Sequence, residues 1–229
     1  MNRILTRIFS APRFFEVCRS RNLVFVPFLV AAAILSGLSC GRSKSTKMEA
    51  APAQYRVLLQ TTKGDIVLLV HRDWSPLGAD HFYELTKMGF YNKNAFFRVL
   101  PGFVVQWGVN GDPDLNKRWN AISIQDDPPK VPNKIGTVVF AKTAEPNSRT
   151  TQVFINLGDN SAALDAQGFT PFGEVIQGMD HVMQLYGGYG EGAPSGTGPN
   201  QAAIADIGNP YLEEHFPKLD YVKKASVIP

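Results

Sequence analysis

The chain has 229 residues, 44% hydrophobic and 19% charged, with a formal net charge of +3. That length suits one sizeable core with an appendage, and the charge is too small to argue for a nucleic-acid partner. The two cysteines, Cys18 and Cys40, both fall near the N-terminus. The body of the protein therefore offers no disulfide scaffold, zinc–thiolate site or cysteine nucleophile.

Arg3, Arg7, Arg13, Arg19 and Arg21 crowd the beginning of the chain, opposed only by Glu16. Residues 23–38 are sixteen uncharged, mostly apolar residues, short of a bilayer span of about twenty. A basic segment, an apolar stretch and small residues at its end have the layout of an export signal. Cys40 follows after Ser39, so residues 1–40 read as a signal or membrane-anchor segment that resembles a bacterial lipoprotein signal, in which such a cysteine becomes the lipidated first residue. Gly37 and Leu38 depart from the usual residues of that signal, so three readings stay open: lipidation at Cys40, an uncleaved N-terminal anchor, or plain cleavage. All three put the body in the cell envelope or periplasm, and the first two tether it to a membrane. Residues 41–54 are small, polar and basic, and read as a flexible linker to a domain covering residues 55–229.

Residues 55–61 and 66–70 have strand character around a turn at Thr62-Lys63-Gly64-Asp65. Ser75-Pro76 reads as an N-cap with proline in the first turn, and Leu77, His81, Phe82, Leu85 and Met88 recur at helical spacing before Gly89. Strands are expected at residues 96–100 and 104–107, then a polar surface excursion over residues 110–133, then strands at 136–142, 152–157 and 172–176. A short helix is expected over residues 179–186 and a glycine-rich loop over 187–199. One or two short helices, broken at Gly208-Asn209-Pro210, follow within residues 200–216, and a closing strand covers 221–228. Many short strands with two clear helices predict a mainly β fold, a closed barrel capped at its ends.

The run Phe96-Phe97-Arg98-Val99-Leu100-Pro101-Gly102-Phe103-Val104-Val105-Gln106-Trp107-Gly108 sets one arginine into an alternating apolar strand. A guanidinium is permanently charged, and burying it unpaired is costly, so either a carboxylate partners it or it serves a ligand. Further on come Gln152-Val153-Phe154-Ile155-Asn156 and Gly168-Phe169-Thr170-Pro171-Phe172-Gly173. Together these segments resemble the cyclophilin family of peptidyl-prolyl cis/trans isomerases. The resemblance implies an eight-stranded antiparallel barrel, no cofactor and no metal, and a monomer acting on proline-containing unfolded or partly folded polypeptides. It implies Arg98 as donor to the prolyl nitrogen, with Gln106 and Phe103 beside it as catalytic residues. Phe154, Leu164 and Phe103 would line the proline pocket, with Val104 as an aliphatic wall and Phe169 at the rim, where many relatives carry histidine. Ala141, Lys142 and Gln152 would edge the groove, the Lys142 backbone pairing with the extended peptide.

The chain departs from the family pattern in places. Ala163 stands where many eukaryotic members carry tryptophan, which argues against strong cyclosporin binding. Trp107 replaces a glycine of the common Gln-Gly-Gly motif. Phe103, Phe154 and Leu164 also have a plain reading as core, and Arg98 one as an ion pair with Asp126 or Asp127. Asp112, Asp114, Asp126 and Asp127 match no calcium loop and read as solvated turn residues. His71, His81, His181 and His215 stand in unrelated contexts and read as structural or exposed. A non-catalytic proline-binding module or chaperone remains the alternative to an isomerase.

Overall fold

A computed structural model describes residues 50–229. The expected export signal, anchor and lipidation at Cys40, and the linker up to residue 49, lie outside the described residues. The end of the expected linker is docked rather than free. The Ala51 side chain is buried, its amide donates to Asp80 Oδ1 at 2.9 Å, and the first strand starts at Gln54.

The elements run β1 (Gln54–Thr61), β2 (Asp65–His71), α1 (Pro76–Lys87), β3 (Asn94–Ala95), β4 (Arg98–Leu100), β5 (Val104–Trp107), α2 (Pro113–Asn120), β6 (Thr137–Phe140), β7 (Val153–Asn156) and α3 (Ser161–Leu164). A 3-10 turn at Asp165–Gln167, β8 (Pro171–Gln177), α4 (Met179–Met183), α5 (Gln201–Ile207), α6 (Asn209–His215) and β9 (Tyr221–Ile228) complete the domain. The strands form one antiparallel sheet in the order β3-β9-β1-β2-β8-β6-β7-β5-β4.

The expected closed, eight-stranded barrel with two helices needs correction. Nine strands and six α-helices are present among the described residues, and the two edge strands, β3 and β4, do not hydrogen-bond to each other. They are consecutive in the chain, joined only by Phe96 and Phe97, both buried. The sheet therefore curls until its edges meet at a covalent corner, and two aromatic rings fill the place of a ninth ladder.

The expected surface excursion also proves structured. Asp112 Oδ1 caps α2 by accepting from Asp114 N and Leu115 N, Pro113 opens the helix, and Trp119 packs into the main core. Asp127, expected as a solvated turn residue, is buried. Its carboxylate accepts from the Leu77 and Gly78 amides at 3.2 and 3.0 Å and from the Ser75 hydroxyl at 2.5 Å. Ser75 thus holds the N-cap position of α1 while Asp127, some fifty residues on, does the capping. Arg149 neutralises that carboxylate at 3.1 Å and reaches Asp126 at 3.4 Å. Burial would raise the Asp127 carboxyl, but the Ser75, Gly78 and Leu77 hydrogen bonds and the Arg149 charge outweigh it and hold it below its ordinary range.

The main core lies inside the curl under α1, with Trp107, Phe82, Tyr91, Phe96, Phe140 and Phe172 wholly buried. Trp107, which replaces a family glycine, fills space there against Phe96, 5.6 Å between centroids. A second cluster of Ala95, Phe97, Val109, Ile204, Leu212 and Leu219 seats α5 and α6. These two helices break at Gly208, whose φ of +81° suits glycine.

His81 on α1 is fully buried beside Phe140 and Trp119. Its Nε2 lies 2.7 Å from the Thr150 carbonyl, so Nε2 carries the proton and donates. Burial pushes its pKa down from 6.5 to about 4, the Thr150 bond opposing and the Arg149 charge assisting. Between those values an unfolded chain binds a proton that the folded one refuses, so stability falls as pH drops from 6.5 towards 4. Urea denaturation is expected to show a loss approaching ~3 kcal/mol across that window, and a flatter profile in His81→Gln. Equal slopes in the two proteins would remove His81 as the cause.

Candidate active site

The site is a row running across four strands. Register pairs Arg98 on β4 with Gln106 on β5, Gln106 with Phe154 on β7, and Phe154 with Val139 on β6. The next row, Val99, Val105, Ile155 and Val138, points the other way into the main core. Strand side chains alternate between faces, so one pairing pattern specifies core and site together, and a slip of one residue would exchange them.

On the site face, Val104, Val139, Phe154 and Leu164 form their own buried cluster, separate from the core, with Phe103, Ala141 and Phe169 partly buried against it. Phe103, Phe154 and Leu164 are therefore not core in the plain sense. They wall a cavity of about 310 Å³ that Arg98, Val104, Gln106, Ala141, Lys142, Gln167 and Phe169 also line. The Phe154 and Phe169 rings meet edge to face at 5.8 Å. Leu164 arrives on α3, and the Pro101-Gly102 turn between β4 and β5 delivers Phe103. Gly102 adopts φ +76°, which that turn needs.

Arg98 lies at the rim, its side chain 18% exposed, with the guanidinium carbon 5.7 Å from the Phe103 ring centroid. Nη1 donates to Gln106 Oε1 at 3.1 Å, and the Gln106 amide donates onward to Gln152 Oε1 at 2.7 Å. Neither Asp126 nor Asp127 partners Arg98, since both serve Arg149. The partner is Glu191, from the glycine-rich loop: Nε donates to Oε1 at 2.7 Å and Nη2 to Oε2 at 2.8 Å. Glu191's pKa is held below the usual carboxylate range, chiefly by the Arg98 hydrogen bonds, against a smaller opposing effect of burial.

A second, more polar depression of about 220 Å³ adjoins the first and shares Gln106, Ala141 and Lys142 with it. Thr143, Ser148, Thr150, Gln152 and Gln201 complete it. The ten domain residues singled out by the sequence thus converge on two adjoining hollows. Gln167, Gln201 and Glu191 were not foreseen. Glu191 carried one signal: it is the only charged residue among residues 187–199, and Arg98 needed a carboxylate.

A curled antiparallel sheet thus bears an apolar pocket with a guanidinium at its edge and a more polar hollow beside it. Residues 56–204 match the family described as cyclophilin type peptidyl-prolyl cis-trans isomerase/CLD. A peptidyl-prolyl cis-trans isomerase of Acinetobacter baylyi is 34% identical over 137 residues, which cover 58% of this chain and 72% of that protein. Isomerase B of Escherichia coli is 33% identical over 138 residues, 57% of this chain and 84% of its own. In fold, the crystal structure of a Cryptosporidium parvum cyclophilin-type isomerase superposes with a TM-score of 0.55 at 18% identity, over 77% of this chain and 98% of that one. The chain belongs to the cyclophilin-type peptidyl-prolyl cis-trans isomerases.

Phe103 is only half-buried and stands outside the main core. Phe103→Ala is expected to cut isomerase kcat/KM about tenfold, as for losing ~1.4 kcal/mol of apolar contact, with little change in Tm. An unchanged kcat/KM would remove this ring from the pocket's function.

Proposed function

We propose that the protein speeds X-Pro isomerisation in exported polypeptides, with Arg98 donating to the prolyl nitrogen while the Phe103, Phe154 and Leu164 walls hold the proline ring. Planar amides resist rotation with a barrier of about 18–20 kcal/mol, because the nitrogen lone pair is shared with the carbonyl. As the bond twists, that sharing is lost and the lone pair localises on nitrogen. A donor aimed at the nitrogen then binds the twisted state better than either planar isomer, which is the condition for catalysis.

The observation that carries this reading is the state of the Arg98 guanidinium. Arginine has five N–H bonds. Glu191 and Gln106 take three of them, which leaves two on a rigid fork at the rim of the apolar pocket. Gln106 orients the fork and is itself held by Gln152, and Ala141, Lys142 and Gln152 form the edge along which an extended chain would run. No cofactor enters the scheme.

The export reading rests on the basic and apolar segments of residues 1–38 and on Cys40. Slow prolyl steps take tens of seconds unassisted, and exported chains that fold in the envelope face them there. The clients are unfolded or partly folded chains with accessible X-Pro bonds.

Arg98→Ala is expected to lower kcat/KM on a short X-Pro peptide by about 10²–10³, the cost of losing one transition-state donor, with the circular dichroism spectrum unchanged. Retained activity would refute the donor role. For location, envelope fractionation and labelling with a palmitate analogue are expected to find the protein in the envelope, with label lost in Cys40→Ser. A cytosolic protein would overturn export, and an unlabelled protein would point to the uncleaved anchor if it stays with the membranes and to plain cleavage if it is released from them.

A further inference from the structure

We infer that Glu191 is the positioning residue for Arg98, and that the glycine-rich loop of residues 187–199 exists to hold its carboxylate behind the guanidinium. This rests on the reading of Arg98 as the prolyl donor.

The pair joins residues 93 apart in the chain and is bidentate, with both oxygens engaged at 2.7 and 2.8 Å. A fork-to-fork pair fixes the plane of the guanidinium as well as its location. It also selects which nitrogens remain for substrate. With Nε wholly occupied and one N–H of Nη2 taken, the remaining donors are one on each terminal nitrogen. Gln106 pins the fork from the opposite side, and Gln152 pins Gln106. The guanidinium is therefore clamped between a carboxylate and an amide before any peptide arrives.

The loop is built around the same residue. The Glu191 carbonyl accepts from Gly198 N at 2.9 Å, and Glu191 Oε1 accepts from the Gly192 amide at 3.0 Å. Gly196 N donates to Gly192 O and Ala193 N to Gly198 O, folding the loop back on itself. A Cβ at Gly196 would collide with the Glu191 carbonyl, and one at Gly198 would come within 2.9 Å of it. These glycines are thus set by how closely the backbone packs on Glu191, not by a need for slack. At the base of the loop Tyr189 packs against Tyr186 and Phe216, 5.0 Å from each, which ties it to the body of the domain.

The pairing solves two physical problems together. A partly buried guanidinium beside an apolar pocket is costly without a counter-charge. A long side chain with several free torsions also spends much of its time away from any one donor geometry, and catalysis by a positioned group falls steeply with misplacement. Glu191 supplies the charge and removes the freedom, and it is not among the residues that line the pocket.

The test is a double-mutant cycle on the full-length protein in mild detergent, with Arg98→Ala, Glu191→Ala and the double variant, read as kcat and KM on an X-Pro peptide. Glu191→Ala is expected to lower kcat about tenfold with KM within about twofold and only a small drop in Tm, since Arg98 keeps its bond to Gln106 and some access to water. On the Arg98→Ala background the same change is expected to do nothing, because Glu191 acts only through Arg98. Glu191→Asp, which keeps the charge, is expected to recover part of the loss. Three results would overturn the inference: activity unchanged in Glu191→Ala while Arg98→Ala is inactive, a gain of activity in Glu191→Ala, or an equal loss on both backgrounds. A fully active Arg98→Ala would instead strike at the donor reading itself, so the two failures are distinguishable.

Discussion

A permanent positive charge at the edge of an apolar pocket is the constraint on which the rest of the site depends. The guanidinium cannot shed its proton, and it sits partly buried at the rim of an apolar pocket. It is tolerable only with partners that compensate the charge without using every N–H. Glu191 and Gln106 meet that condition from two different parts of the chain, one on a distant loop and one on the neighbouring strand.

The sheet makes this placement possible with few special devices. Because β4, β5, β7 and β6 are adjacent and in register, one transverse row carries Arg98, Gln106, Phe154 and Val139, and its neighbour carries core valines and isoleucine. The stability of the inner row therefore fixes the geometry of the outer one. The row with Arg98, Gln106 and Phe154 is built on strands, while α3 contributes Leu164 and the connecting segments contribute Phe103, Phe169 and Glu191 around it. Arg149 with Asp126 and Asp127 performs a separate, structural task, sealing the start of α1 and the excursion that follows β5.

Much of this was legible in the sequence because it rests on local signals. The alternation of residues 96–107 and the turn at Pro101-Gly102 put Arg98 and Gln106 on one face, and the break at Gly208-Asn209-Pro210 falls where α5 and α6 part. What was not legible depended on contacts between distant positions. The Arg98 partner is 93 residues away and the acid that caps α1 about fifty, and no spacing rule reaches that far. The covalent corner at Phe96-Phe97 could not be told from a longer strand, since both rings suit a strand and a corner alike. The helix α2 is a different case. Asp112-Pro113 carries the same cap-and-proline signal as Ser75-Pro76, and the abundance of polar residues and prolines around it hid a signal that was present.

The central claim is that the groove turns peptides over, and does not merely hold them. Proton exchange spectroscopy on an Ala-Pro peptide with the full-length protein tests it directly, because one experiment reports both binding and interconversion. The account predicts shifted peptide resonances together with cis–trans exchange peaks that appear within seconds or less, far faster than the uncatalysed tens of seconds. Shifted resonances without accelerated exchange would contradict it and make the groove a proline-binding module.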